Sequence, residues 1–335
     1  MRPPGVDEGS VLTVFRATPA DAGQRLDVFL VGQLRRTSRT RAQRIILLSA
    51  HDATGRRLRP NHRVKAEERV LLWRAPWDDE PAYHEIRVLF EDDWMMAVDK
   101  PPFLPVHPTA RYYRNTVIKI LEAERPGAFL SLVHRIDRET SGVLLLGKTP
   151  DADRALKMQL EARVGVEKRY LAITWGVPRG STGHGPGWAG NAFRCDLSMK
   201  LDPTSSTKVK MCLAEDDDAM SAGTVFQVLD TRTGANGRTY ALVQCDLETG
   251  RQHQIRLHLA SLGAPIVGDK LYGPDEGLFA RGADGELTED DARVLELPRH
   301  ALHATRLALA HPVSAERFVV EAPLPADLVA FYEGL

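Results

Sequence analysis

The segment Leu132-Val-His-Arg-Ile-Asp-Arg-Glu-Thr-Ser-Gly142 sets one carboxylate, Asp137, between Arg135 and Arg138 and just before a polar turn. Val133 and Ile136 within it, and the run Val143 to Leu146 after it, predict a short loop pinned between hydrophobic elements. A carboxylate held beside cations stays ionised at neutral pH and can act as a nucleophile or a base. The same residues also fit a turn in which Asp137 caps the chain and pairs with Arg135 or Arg138. A two-carboxylate glycosidase centre would need a partner acid, and the loop offers only Glu139.

Two further clusters bear on that choice. In Leu247-Glu-Thr-Gly-Arg-Gln-His-Gln-Ile-Arg-Leu-His-Leu-Ala-Ser-Leu-Gly263, Thr249 with Gln252 predicts a capping box, Ile255, Leu259 and Leu262 an inward stripe, and Gly263 with Pro265 the helix end. Arg251 then falls in the first turn, where a cation opposes the helix dipole. That cost makes sense if Arg251 holds an anion such as Asp137 or a phosphate. His253 and His258 lie about 140° apart on a helix, unlike an i, i+4 metal-binding pair, so no metal is expected there. Lys168-Arg-Tyr-Leu-Ala-Ile-Thr-Trp-Gly176 reads as a strand with Tyr170, Ala172 and Thr174 on one face. The Tyr170 ring can stack on a base turned out of an RNA helix, or pack in the core with its hydroxyl satisfied.

The elements that must carry these residues fall into two parts. A chain of 335 residues suggests two domains. Residues 1–10 read as a frayed tail. From Val11 to Trp73, Leu26, Phe29 and Leu30 mark one helical face, Ile45, Ile46 and Leu48 a second, Thr54-Gly55 a turn, and Arg69 to Trp73 an apolar strand. The proline-bearing stretch Ala75 to Ala82 reads as a linker, with the boundary near Asp79. Beyond it, strand-like runs at Ile86–Phe90, Trp94–Val98, Val143–Leu146, Tyr170–Trp175, Val225–Leu229, Tyr240–Cys245 and Phe318–Val320 are interrupted irregularly by helices. One such helix starts at Thr149-Pro150. This pattern predicts an α+β domain with a mixed, largely antiparallel sheet.

The net charge of -1 hides an uneven distribution. Between Asp21 and Arg74 there are thirteen Arg or Lys against five Asp or Glu, with Arg35, Arg36, Arg39, Arg41 and Arg44 crowded together. A basic module on a near-neutral body suits docking to a polyanion, although a solvated helix face has the same composition. Three cysteines without metal-ligand spacing favour a reducing compartment, hence the cytoplasm. No run approaches the ~18 apolar residues of a membrane span, and the N-terminus lacks a signal peptide's apolar stretch.

The N-terminal unit resembles the S4 RNA-binding domain, through Arg25-Leu26-Asp27, the arginine cluster, and Val64, Val70 and Leu72. A stronger resemblance spans about residues 14 to 330. His134-Arg-Ile-Asp-Arg-Glu-Thr-Ser-Gly142 is similar to the catalytic motif of the RluA family of pseudouridine synthases, with Ile136 a mild substitution. In the family's order follow or precede it Asp92 to Pro101, Val106-His-Pro108, Lys168-Arg-Tyr170, Thr249-Gly-Arg251, His253 to Arg256, Gly268 to Gly273, Leu302-His-Ala304 and Ala322 to Pro325. The resemblance implies isomerisation of uridine in RNA to pseudouridine without a cofactor or metal. Asp137 would be the essential carboxylate, Arg251 its charge partner, and Tyr170 the stacking surface for the flipped base. Arg135, Arg138 and Lys168 are weaker candidates for phosphate or loop contacts. The implied organisation is a tail (1–10), an S4-like RNA-binding domain (11–75), a linker (76–84) and a catalytic domain (85–335) acting as a monomer. Large-subunit ribosomal RNA is the expected target. Transfer RNA, or a non-catalytic RNA-binding or assembly role, is the alternative.

Overall fold

The apolar spacing of the N-terminal stretch produces two short helices whose inner faces share one core. A computed structural model describes residues 2–7, 9–34, 38–74, 85–108, 112, 114–181, 190–205, 207 and 209–335. They divide into two compact units, Met1–Ala82 with His107–Lys119, and Tyr83–Val106 with Ile120–Leu335. The stretch His107–Lys119, expected in the larger domain, thus groups with the N-terminal unit.

That unit holds β1 (Val11–Arg16), α1 (Leu26–Gln33), α2 (Arg39–Ser49), β2 (Ala50–His51) and β3 (Arg69–Arg74), with its strands in the order β1-β3-β2. Leu26, Phe29 and Leu30 pack with Ala42, Ile46, Val64, Val70 and Leu72. Leu48, expected to face inward, is 69% exposed, because Ala42, Ile46 and Ser49 take the inner face at i, i+4 and i+7. Strand β1 had no visible signature. Its outward positions, Leu12 and Val14, are themselves apolar, so the alternation that marks a half-buried strand is missing.

In the larger unit the strands and helices follow as β4 (Arg87–Glu91), β5 (Met95–Lys100), α3 (Val117–Glu124, which begins in the first unit), β6 (Ser131–Leu132), β7 (Ser141–Gly147), α4 (Pro150–Ala162), β8 (Glu167–Trp175), β9 (Phe193–Asp196), β10 (Met199–Leu201), β11 (Met211–Leu213), β12 (Gly223–Thr233), β13 (Thr239–Leu247), α5 (Gln254–Ser261), α6 (Gly277–Asp284), α7 (Glu289–Leu295), β14 (Leu302–Ala310), β15 (Arg317–Glu321) and α8 (Ala326–Glu333). Ten strands form one sheet along the path β4-β5-β7-β14-β8-β13-β12-β9, with β6 on β7 and β15 on β14. Among the described residues every pairing is antiparallel except β7 with β14, so the unit is α+β with a mixed sheet. Thr149 caps α4 as anticipated, accepting from the Ala152 N–H at 3.2 Å. Leu156 of α4 packs on Met95, Val143, Leu145 and Leu307, while Leu257 of α5 packs with Leu271 and Tyr272.

The register of the central strands places the site. β14 sets Ser141 opposite His303 and Gly142 opposite Ala304, and Ala304 also faces Tyr170. Gly142 has φ +109, and a Cβ there would lie 2.2 Å from the Ala304 carbonyl oxygen, so only glycine fits. The loop before β7, the start of β14 and the middle of β8 therefore meet at one place. Among the described residues no helix is long and apolar enough to cross a membrane.

Candidate active site

Asp137 lies in the turn between β6 and β7, its backbone carbonyl accepting from the Thr140 N–H at 3.1 Å. Each residue after it is tied from behind. The Arg138 carbonyl accepts from the Lys100 amine at 3.0 Å, and that fully buried amine also binds the carbonyls of Pro101 and Leu104. Glu139 receives Lys270 on both oxygens, at 3.0 and 2.9 Å. Its role is thus an internal ion pair, which removes it as a second acid. Thr140 shares a 2.8 Å hydrogen bond with His300, and Ser141 a 2.9 Å bond with His303. Arg138 pairs with Glu139 at 3.2 Å, not with Asp137. Desolvation, then the nearby Arg299, outweighs the charges of Asp137 and Asp99 and pushes the Lys100 amine well below lysine's usual range.

The cation on Asp137 is Arg256, which donates to it at 2.9 Å and binds Asp269 with its other edge at 2.7 and 2.8 Å. This corrects the expectation for Arg251, whose Nε donates instead to the Ser221 carbonyl at 3.2 Å. The helix begins later than its capping pattern implied, at Gln254, after His253 in a left-handed conformation with φ +58. The reason is Gln254. Its Oε1 accepts from Thr249 Oγ1 at 2.6 Å and from the Arg251 N–H at 3.0 Å, and its Nε2 donates to the Gly223 carbonyl and to Thr224. Thr249 and Arg251 are thereby held in a turn ahead of the helix. Arg256 then falls in the first turn, and its guanidinium reaches a carboxylate 119 residues away in sequence.

Burial alone would raise the Asp137 carboxyl. The charges of His253, Arg256 and His300, with the Arg256 hydrogen bond, outweigh it and hold the group at about 2. Burial and then Arg256 lower His253 to about 4 and His300 to about 4, so both rings are neutral at pH 7 and Arg256 is the cation Asp137 faces there. His253 sits with Nε2 3.9 Å from Asp137 and Nδ1 3.1 Å from the Tyr272 hydroxyl, which accepts from the Met211 N–H at 2.8 Å. His258 is occupied by Thr224 and the Leu197 carbonyl. Among the described residues no three potential metal ligands stand together.

A cleft of about 140 Å³ opens beside Asp137, lined also by Arg135, Tyr170, Leu247, Arg251, His253 and Leu302. Tyr170 is buried to 8% exposure, with no hydrogen-bond partner for its hydroxyl among the described residues. Burial, then Asp137, pushes the phenol well above its usual range, so it stays protonated. The structure thus brings Asp137, Tyr170, Arg251 and Arg135 to one cleft, with Lys168 two residues along β8. Arg256, Asp269 and His253 are the members sequence reasoning missed. A signal existed: Arg256 and His258 interrupt Ile255, Leu257 and Leu259, so polar residues share faces with apolar ones, as in a helix with no solvent side.

In the N-terminal unit, Arg39 pairs with Asp27 at 3.1 Å, a fully buried carboxylate that also binds Arg25 and Gln43. Arg41 and Arg44 are exposed on the same helix without a carboxylate partner among the described residues. Arg35 and Arg36 lie outside the described residues, as do residues 76–84.

The chain that carries this cleft matches known enzymes in sequence and in fold. The sequence profile of RNA pseudouridylate synthase matches residues 94–261. The chain is 33% identical to ribosomal large subunit pseudouridine synthase D of Xanthomonas campestris pv. campestris over 322 residues, 94% of this chain and 89% of that protein. It is 31% identical to the protein of that name in Nitrosomonas europaea, over 94% of this chain and 85% of the relative. Among solved structures, human RNA pseudouridylate synthase domain containing 4 superposes with a TM-score of 0.54 at 28% identity, over 74% of this chain and 92% of that one. Human RNA pseudouridylate synthase domain containing 1 shares the fold, with a TM-score of 0.57 at 24% identity over 75% of this chain and 90% of that one. The class is therefore an isomerase that makes pseudouridine in RNA. The chain belongs to the RNA pseudouridine synthases of the RluA family.

Proposed function

We propose that this protein converts uridine to pseudouridine in large-subunit ribosomal RNA, in the cytoplasm, with Asp137 as the reacting carboxylate. The observation that carries this is the Arg256–Asp137 contact of 2.9 Å at the edge of a cleft walled by Tyr170. An ionised Asp137 can attack the ribose at C1′ or take a proton from its 2′ position, and either route breaks the N1–C1′ bond. The freed uracil turns, C5 bonds to C1′ as Asp137 either leaves C1′ or returns the proton to C2′, and the proton lost from C5 is balanced by one gained at N1. Tyr170 offers its ring to the flipped base, and Arg135 and Arg251 line the same cleft toward its flanking phosphates. The ribosomal target rests on the names of the Xanthomonas and Nitrosomonas relatives.

Residues 11–75 are proposed to be an S4-like RNA-docking domain, with exposed Arg41 and Arg44 at its contact face. The linker 76–84 leads to the catalytic domain, 85–335. The test is to incubate the full chain with transcribed, unmodified large-subunit ribosomal RNA and map pseudouridine, comparing Asp137→Asn. Pseudouridine formed by the wild type alone supports the proposal. Equal product from both proteins refutes Asp137's role, free uracil would indicate a hydrolase, and product on transfer RNA alone would overturn the ribosomal address.

A further inference from the structure

The cleft beside Asp137 continues beyond it. Leu247 and Gly250, which line it, also border a hollow of about 210 Å³ that includes Arg163 and Lys168. Arg163, Glu248 and Thr249 then border a third hollow of about 260 Å³ with Arg194 and Asp196. Shared walls set the three hollows side by side as a trough from Asp137 past the turn at Thr249-Gly250 to the C-terminal end of α4.

The charges along the trough are not balanced evenly. Arg194 is neutralised by Asp196 at 3.0 Å and Glu248 at 2.8 Å, which occupies the two carboxylates of the trough other than Asp137. Lys168 and Arg163 have no carboxylate partner among the described residues. Lys168 is half-buried, its Nζ against Gly250, 3.7 Å from where a Cβ would stand. A desolvated amine serving the fold alone is normally given a counter-charge or a set of carbonyls, as Lys270 is by Glu139 and Lys100 by Pro101, Leu104 and Arg138. Desolvation and then Arg163 lower the Lys168 amine. Lys168 also lies two residues from Tyr170 on the same face of β8, about 7 Å along the strand. That is the span from a stacked base to the phosphate of a neighbouring nucleotide.

We propose that this trough is the path of the RNA strand carrying the target uridine, with Lys168 holding a backbone phosphate beside the flipped nucleotide and Arg163 the next one along. The assignment rests on the Asp137 cleft being the uridine site. It is tested with the full chain by two readouts: the salt dependence of binding to a single-stranded oligouridylate, and steady-state kinetics on transcribed large-subunit ribosomal RNA. For Lys168→Gln and Arg163→Gln the slope of log K against log salt should each shrink by about 0.7, the value for one single-strand phosphate contact. For Lys168→Gln, kcat/KM should fall about tenfold, carried mainly by KM, and Lys168→Arg should restore the slope. Lys157→Gln, whose lysine is paired with Asp153 at 2.8 Å, should change neither. Wild-type slope and KM in both trough variants overturn the proposal, as does a loss confined to kcat. A wild type that binds with the expected slope changes but makes no pseudouridine keeps the strand path and sinks the isomerase assignment of the cleft.

Discussion

Arg256 and Arg251 stand five residues apart, and replacing each by methionine separates a buried charge clamp from a rim cation. Arg256→Met removes three charge-assisted hydrogen bonds, of 2.7, 2.8 and 2.9 Å, and strands Asp269, which is fully buried, beside Asp137. Breaking a buried pair by removing one partner costs about 3–5 kcal/mol. For a unit of this size that is a fall of roughly 6–20 °C in Tm. Arg251→Met loses one hydrogen bond to a carbonyl at a half-exposed position, about 0.5–1.5 kcal/mol. The two should differ in chemistry as well. Without Arg256, its charge and its hydrogen bond no longer oppose burial, so the Asp137 pKa climbs from about 2 and the acid limb of kcat/KM moves to higher pH. The assay is thermal unfolding together with pseudouridine formation on transcribed ribosomal RNA from pH 5 to 8. A variant of Arg256 as stable as the wild type, or an Arg251 variant that unfolds at the lower temperature, would refute the clamp.

Asp137→Asn keeps the side-chain volume and leaves Arg256 its two bonds to Asp269, so it should fold normally while kcat/KM drops at least ~10³-fold; a smaller loss in the mapping assay would point to another reacting group. Gly142→Ala puts a Cβ 2.2 Å from the Ala304 oxygen at a positive φ, and should cost about 3 kcal/mol or more in urea unfolding, whereas an unchanged midpoint would count against the register given for β7 and β14. His253, His300 and His303 are each lowered to about 4 by burial, so the unfolded chain binds more protons between about pH 6.5 and 4. Stability should therefore decline as pH falls through that window, and equal urea midpoints at pH 7.5 and pH 5 would contradict it. Arg41→Gln with Arg44→Gln should flatten the salt dependence of ribosomal RNA binding by about 0.7–0.9 for each phosphate no longer neutralised; an unaltered slope would make that helix a solvated face.

How much of this was legible in the residues depended on whether the signal was local. The helix after Thr149-Pro150, the strands around Val143 and Tyr170, and the turn bearing Asp137 all announce themselves through caps and apolar runs. Strand β14 did not, because His303, Thr305 and Arg306 break its alternation while its neighbours β7, β8 and β15 bury it. The arginine on Asp137 was misassigned for a related reason. The capping pattern at Thr249 and Gln252 is a local argument, and it was overridden when Gln254 reached back to Thr249 and Gly223. The clamp itself joins Arg256 to Asp137 and Asp269 across loops distant in sequence, and no periodicity encodes that meeting.

The parallel pairing of β7 with β14 bears on how the site is completed. β14 wedges between β7 and β8, so residues 302–310 must arrive before Gly142 can close on Ala304 and before His300 and His303 can grip Thr140 and Ser141. Hydrogen bonds that span about 160 residues close long loops, and such non-local contacts form slowly. Until that strand docks, the turn after Asp137 lacks its contacts with His303 and Ala304, while Arg256 is still held by Asp269. A chain ending before β14 would therefore keep Asp137, Tyr170 and Arg256 while losing the strand that backs the Asp137 turn.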